Sequence, residues 1–178
     1  VAITIEPASR PKTFGIILIK LNILSVYRWL IVTCALLTAG PLMAQLLPAG
    51  DLMQVAAEAR SKRVPILVAF MQQSCPYCAI ARRDYLLPLQ ADPQWRHRVL
   101  IREVDVDRNT PMRDFTGAAT TQRAFSRIHE ARRVPTLIFF DADGNRVGQP
   151  IIGLLSEDFY RLYIEQGIEA GLAKMRKR

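Results

Sequence analysis

Histidine and cysteine are scarce in this chain of 178 residues, with two of the former and three of the latter. A structural zinc site needs about four ligands at tetrahedral spacing, and the sequence has neither a His-x-His pair nor a second Cys-x-x-Cys group, so that class is excluded. His97 and His129 stand far apart and are read as surface residues. Basic residues outnumber acidic ones, 24 to 16, yet they are scattered (Arg82-Arg83, Arg132-Arg133, Lys174 to Arg178) without aromatic interleaving. With no nucleic-acid motif beside them, they are read as solvated surface, and nucleic acid is excluded as a partner. Internal repeats and low-complexity segments are also missing. An apolar content of 50% over this length suffices for one globular domain with a core and falls short of two.

The longest uncharged apolar stretch, Trp29 to Ala39, follows Lys20 and Arg28 and runs into Gly40-Pro41 and then Leu42-Met43-Ala44. A basic region, an apolar region and small residues at the end form the pattern of a secretory signal, with the cut expected after Ala44. The division is therefore a leader over 1–44 and a folded domain over 45–178, exported from the cytoplasm. The alternative is an uncleaved anchor over 29–47, close to the roughly 20 residues that span a bilayer, although Gly40-Pro41 interrupts it. Cleavage removes Cys34 and leaves 20 basic and 15 acidic residues, with Cys75 and Cys78 as the only cysteines. In an oxidising compartment a disulfide between those two is the expected resting state.

Those two cysteines decide the reading. Cys75-Pro76-Tyr77-Cys78 follows a Val/Ile/Leu-rich run and precedes a helical pattern. At this spacing both sulfurs fit on one turn of helix, Cys75 at the exposed N-terminus and Cys78 turned inward, so a disulfide closes with little backbone movement. Unpaired amides and the positive dipole end favour thiolate at the first position, and thiolate is the attacking form. Pro76 at the first helical position suits the same arrangement.

Around the motif, Asp51 is expected to cap a helix to Lys62 carrying Leu52, Val55, Ala56 and Ala59 at helical spacing. Val64 to Met71, broken only by Pro65, reads as a strand buried on both faces. The helix after Cys75 is expected to kink or end near Pro88. Val99 to Val106 reads as a strand, 107–120 as a polar connection, and Thr121 to Ala131 as a surface helix. Val134 to Phe140 and Arg146 to Ile152 are expected to form a hairpin about Asp141 to Asn145. Ser156 is expected to cap a final helix to Lys174, with Phe159, Tyr163, Ile164, Ile168 and Leu172 packing inward. The order is αβαβαββα.

With Arg133-Val134-Pro135-Thr136 before one strand and Asp143-Gly144 in the hairpin, this pattern resembles the thioredoxin superfamily over about residues 50 to 175. Asp105 to Gly117 and Thr136-Leu-Ile-Phe-Phe-Asp are similar to exported SoxW-like thioredoxins linked to sulfur oxidation. The resemblance implies an α/β thioredoxin-like fold, a central mixed sheet with helices on both faces. It implies a thiol:disulfide oxidoreductase that reduces protein disulfides through Cys75 and Cys78 without a cofactor or metal. It also implies that Pro135 is cis and lies against the sulfurs, proline being the residue for which the cis form costs only about 0.5–1 kcal/mol. Val134 would then pair through its backbone with an extended substrate segment. The implied partners are disulfide-bearing proteins and a membrane electron donor that re-reduces the dithiol.

The chain also departs from the family pattern. Ser74 stands where a tryptophan is usual, Pro76-Tyr77 is the dipeptide familiar from glutaredoxins, and the position of the buried carboxylate, six residues before the first cysteine, is Ala69. Proton transfer from Cys78 must therefore use another group or water. Two other functions remain open at this point: a thiol chaperone holding copper(I) between Cys75 and Cys78, with Met71 nearby, and a non-catalytic binding domain whose disulfide staples the helix.

Overall fold

Six apolar residues in a row, Ile66–Met71, form the central strand β1, and all six are buried, as a strand covered on both faces requires. The computed structural model describes residues 45–154 and 156–177. The leader and the anchor alternative lie outside the described residues except for residues 45–47. Among the described residues, no helix is long and apolar enough to cross a membrane.

Helix α1, Leu52–Lys62, begins as expected at Asp51, whose carboxylate accepts from the Gln54 amide at 3.0 Å. It ends where Arg63 turns left-handed, φ 56°. Pro65 has no N–H to give a ladder, so β1 starts one residue later, at Ile66. Strand β2, Leu100–Asp105, pairs parallel with β1; β5, Thr136–Phe140, pairs antiparallel with β1 on its other side. The two-residue β6, Ile151–Ile152, completes a mixed sheet of order β2-β1-β5-β6.

The expected strand over 146–152 is thus much shorter. Arg146 makes an isolated bridge to Phe140, after which Gly148 takes φ 70° and Pro150 offers no donor, so the ladder resumes only at Ile151. The polar connection also differs from expectation: within it, β3, Pro111–Arg113, pairs antiparallel with β4, Ala119–Thr121, around Gly117 at φ 87°. Helix α4, Gln122–Ile128, is capped by Thr121, whose hydroxyl accepts from Ala124 N–H.

After Cys75 the chain is helical through α2, Pro76–Ile80, a π segment, Ala81–Leu86, and α3, Leu87–Ala91. The break expected near Pro88 takes the form of this wider turn. The Leu87 amide reaches back five residues to the Arg82 carbonyl, and Pro88 falls in the first turn of α3, where no N–H is needed.

Helix α5, Glu157–Arg176, starts at Ser156, whose side chain makes no cap bond. Its buried face is Tyr160, Ile164, Ile168, Leu172 and Met175, whereas Phe159 and Tyr163, expected inside, are exposed. The reason lies in two glycines. A Cβ at Gly167 would collide with the Phe139 ring and one at Gly171 with Pro65, so the closest approach to the sheet is marked by missing side chains.

Helices cover both faces of the sheet. Directly paired strand residues share a face, which puts Ala69 with Glu103 and Leu137, and Leu67 with Phe139, on the side of α5. Phe70 and Phe140 look the other way, toward Phe125, His129 and Phe115.

Candidate active site

The loop 72–75 carries the chain from the C-terminal end of β1 to α2, and its position is fixed by side-chain bonds to the loop after β2. Gln72 donates to Asp107 at 2.6 Å, and Arg108 donates to Gln73 at 2.7 Å. Cys75 is the residue before the helix, in extended conformation, with Pro76 following at the helix start. Its sulfur accepts from the Cys78 amide at 3.1 Å, and its carbonyl from the Ala79 amide at 3.1 Å. Both cysteines are free thiols; Cys75 is half-buried and Cys78 has no exposed surface.

Opposite Cys75 stands the loop before β5. The Val134–Pro135 peptide is cis, and the Cys75 thiol points at the Val134 carbonyl oxygen, 3.9 Å away. Thr136 donates to the Arg133 carbonyl at 2.6 Å, and Gly153 N–H to the Pro135 carbonyl at 2.7 Å, bracing this turn from both sides. Pro135 is buried, Val134 half-buried, Pro76 exposed, and Tyr77 is 61% exposed. All six residues singled out from the sequence thus lie in two facing segments.

Cys78 sits in a different environment from Cys75. Burial pushes its thiol up to about 12, aided by the Cys75 sulfur, while the Gln72 backbone and the Arg82 cation pull the other way. Arg82 lies one turn along the helix from Cys78 and makes a two-pronged bond to Glu103 at 2.7 and 2.9 Å. Tyr160 of α5 packs edge-on against Tyr85, ring centroids 5.0 Å apart. Burial raises its phenol, with Cys78 and Tyr85 adding to the effect, and its hydroxyl has no hydrogen-bond partner among the described residues. Beside the site opens a polar cavity of about 700 Å³, whose walls include Gln73, Arg82, Glu103, Asp105, Arg108 and Gln122.

Sequence reasoning passed over Glu103 and Tyr160 and read Arg82 as solvated surface, which the structure corrects: the Arg82 side chain is mostly covered and paired with Glu103. A signal existed for one of the three: Arg82 follows Cys78 at helical spacing, whereas Glu103 shares its strand with the charges of Arg102 and Asp105 and does not stand out. His129 corrects the surface reading, since its ring packs against Phe125 and Phe140 at 4.3 and 5.0 Å. Burial lowers its pKa to about 4, with Arg146 adding and Asp114 opposing. His97 is exposed, as expected.

Among solved structures, the chain is similar to mitochondrial thioredoxin 3 of Saccharomyces cerevisiae, with 18% identity, 70% of this chain and 93% of that one covered, and a TM-score of 0.47. Thioredoxin O2 of Arabidopsis thaliana gives 18% identity, 69% and 94% coverage and a TM-score of 0.48. The protein Trxlp of Edwardsiella tarda gives 24% identity, 67% and 97% coverage and a TM-score of 0.48. No curated protein matches the chain. The family model described as thioredoxin-like domain matches residues 52–168, from the first helix into the last, and on that match the chain belongs to the thioredoxin-like domain family.

Proposed function

We propose that this protein is a thiol:disulfide oxidoreductase that works as a reductase of protein disulfides. The observation that carries this reading is the asymmetry of the two sulfurs: Cys75 is within reach of solvent with the Cys78 amide directed at it, while Cys78 is sealed behind it. The Cys75 thiolate attacks one sulfur of a substrate disulfide, forming a mixed disulfide and expelling the other substrate sulfur as a thiolate, which takes up a proton. Cys78 then loses its proton and attacks the Cys75 sulfur. The Cys75–Cys78 bond forms, the second substrate thiolate leaves, and two electrons have passed to the substrate. The Val134 carbonyl, 3.9 Å from the Cys75 sulfur, is available to the backbone of an extended substrate segment.

Export, with a membrane electron donor returning the dithiol to its reduced form, is the setting we propose. It rests on the signal pattern in 1–44 and on the similarity of Asp105 to Gly117 to SoxW-like thioredoxins. Copper(I) carriage is the weaker alternative, because a shared ion needs both sulfurs accessible and Cys78 is fully buried. A purely stapling disulfide would not need one sulfur turned toward solvent. The test is the equilibrium potential of the Cys75/Cys78 couple against glutathione. A value near about −270 mV supports reduction, and one near about −120 mV reverses the direction.

A further inference from the structure

Cys78 has to ionise before it can release a captured substrate, and nothing acidic or basic stands on β1 beneath it. The β1 residues on the face toward the helix are Leu67, Ala69 and Met71. A charge is nevertheless present one strand over. Glu103 is the parallel-register partner of Ala69, so both side chains emerge on the same face. The backbone of Glu103 is held from the outer edge, its amide bonding to the Leu47 carbonyl at 2.8 Å and its carbonyl accepting from Ala49 at 2.9 Å. Its carboxylate takes both prongs of Arg82, and the pair is largely withdrawn from water, with 21% of the Glu103 and 25% of the Arg82 side chain exposed. Arg82 follows Cys78 by four residues, which on a helix places it over the same face. The far side of the pair opens into the 700 Å³ polar cavity, a route to solvent for a proton.

We propose that the Arg82–Glu103 pair is the positioning device for the resolving thiol: Glu103 pins the guanidinium one turn beyond Cys78, and the guanidinium stabilises the Cys78 thiolate as it forms. The inference rests on the dithiol mechanism above. The step is balanced: Cys78 gives its proton to solvent, its electron pair forms the bond to the Cys75 sulfur, and the substrate thiolate departs with the electrons of the broken bond. The direction agrees with the opposing influences on Cys78, where Arg82 favours the ionised form against burial. The other groups bearing on this thiol are Cys75 on its own helix, the Gln72 backbone and Tyr160 on α5; Asp105 bears on Arg82, and Tyr85 on Tyr160. None of these supplies a second side-chain cation.

A staple between helix and sheet would need the same ion pair, so the test must separate charge from architecture. Reduced protein is mixed with Ellman's reagent in a stopped-flow instrument. Cys75 takes up one thionitrobenzoate in a first phase, and Cys78 expels it in a second, intramolecular phase followed across pH. No protein substrate is required.

Arg82→Gln is expected to leave the first phase in place and move the second-phase profile to higher pH. A one-unit rise in thiol pKa cuts the thiolate fraction about tenfold but makes the remaining thiolate more nucleophilic, so the net slowing near neutral pH is about threefold. Arg82→Lys, which keeps the charge, should recover part of it. Glu103→Gln still accepts from the guanidinium but removes the opposing charge, so its profile should stay at or below the parent's pH.

An Arg82→Gln profile that superposes on the parent's overturns the proposal, as does an equal upward displacement in Arg82→Gln and Glu103→Gln, which marks damage to packing. A parent protein with no second phase would instead overturn the dithiol mechanism itself.

Discussion

The backbone amide of Cys78 donates to the sulfur of Cys75 at 3.1 Å, while the sulfur of Cys78 itself is wholly buried. One residue thus supplies a hydrogen bond to its partner's sulfur and withholds its own from solvent. A reagent that cannot enter the core should therefore distinguish the two thiols. Iodoacetamide at pH 6 to 7 is expected to label Cys75 of the reduced protein first, with Cys78 following only at much longer times or on unfolding. Peptide mass mapping of the singly labelled protein reads the order, and equal labelling would contradict the assignment.

Tyr160 gives a prediction of unusual sign. Its ring fills the core, but its hydroxyl is buried without a partner among the described residues. An unsatisfied buried polar group costs about 1–3 kcal/mol, so Tyr160→Phe is expected to hold or raise stability in urea unfolding. A loss of more than about 1 kcal/mol would mean that the hydroxyl is satisfied.

His129 makes stability depend on pH. Its folded-state pKa, near 4, lies below the ordinary 6.5 because its ring is buried among Phe70, Phe125 and Phe140. A base depressed in this way stabilises the fold fully above pH 6.5, and the contribution drains away as pH falls toward 4, because the unfolded chain binds the proton more readily. With part of the ring open to solvent, the swing is about 1–2 kcal/mol. His129→Leu should flatten the unfolding midpoint over that window; a slope unchanged from the parent's would remove the histidine from the account.

Asp141 acts in a lower window. Burial pushes its carboxyl up, but the Asn145 amide, Lys174, the Asp143 amide and the Asn145 side chain together outweigh burial and hold it below the ordinary carboxylate range. The same oxygens fix the hairpin turn, with the Asp143 and Asn145 amides at 3.0 and 2.9 Å and Lys174 at 3.1 Å. Its contribution is present at neutral pH and is lost only below the ordinary carboxylate range. Asp141→Ala is expected to cost about 2–4 kcal/mol in urea unfolding and Asp141→Asn less. Equal costs would mean that charge matters more than turn geometry.

What could be read from the sequence divides along physical lines. Cys75 and Cys78 declared themselves because their spacing, the apolar run before and the proline between are all local. Asp51 did so as a cap for the same reason. The β3–β4 ribbon was hidden, since strands of three residues are too short to display an alternating pattern. On α5, Ile164, Ile168 and Leu172 lie inward as expected, but Phe159 and Tyr163 do not, because Gly167 and Gly171 mark the closest approach and periodicity counts large apolar residues. Arg82 and Glu103 lie 21 positions apart and meet only through the parallel register that sets Glu103 beside Ala69. Nothing local joins them.

The most direct test of the central claim is reduction of insulin by dithiothreitol in the presence of the parent protein, Cys75→Ser and Cys78→Ser. The account predicts acceleration by the parent and none by Cys75→Ser, and, when reduced Cys78→Ser is freed of dithiothreitol and then mixed with insulin, accumulation of a covalent mixed disulfide between insulin and Cys75. Acceleration by Cys75→Ser equal to the parent's, or no acceleration by the parent at all, would contradict it.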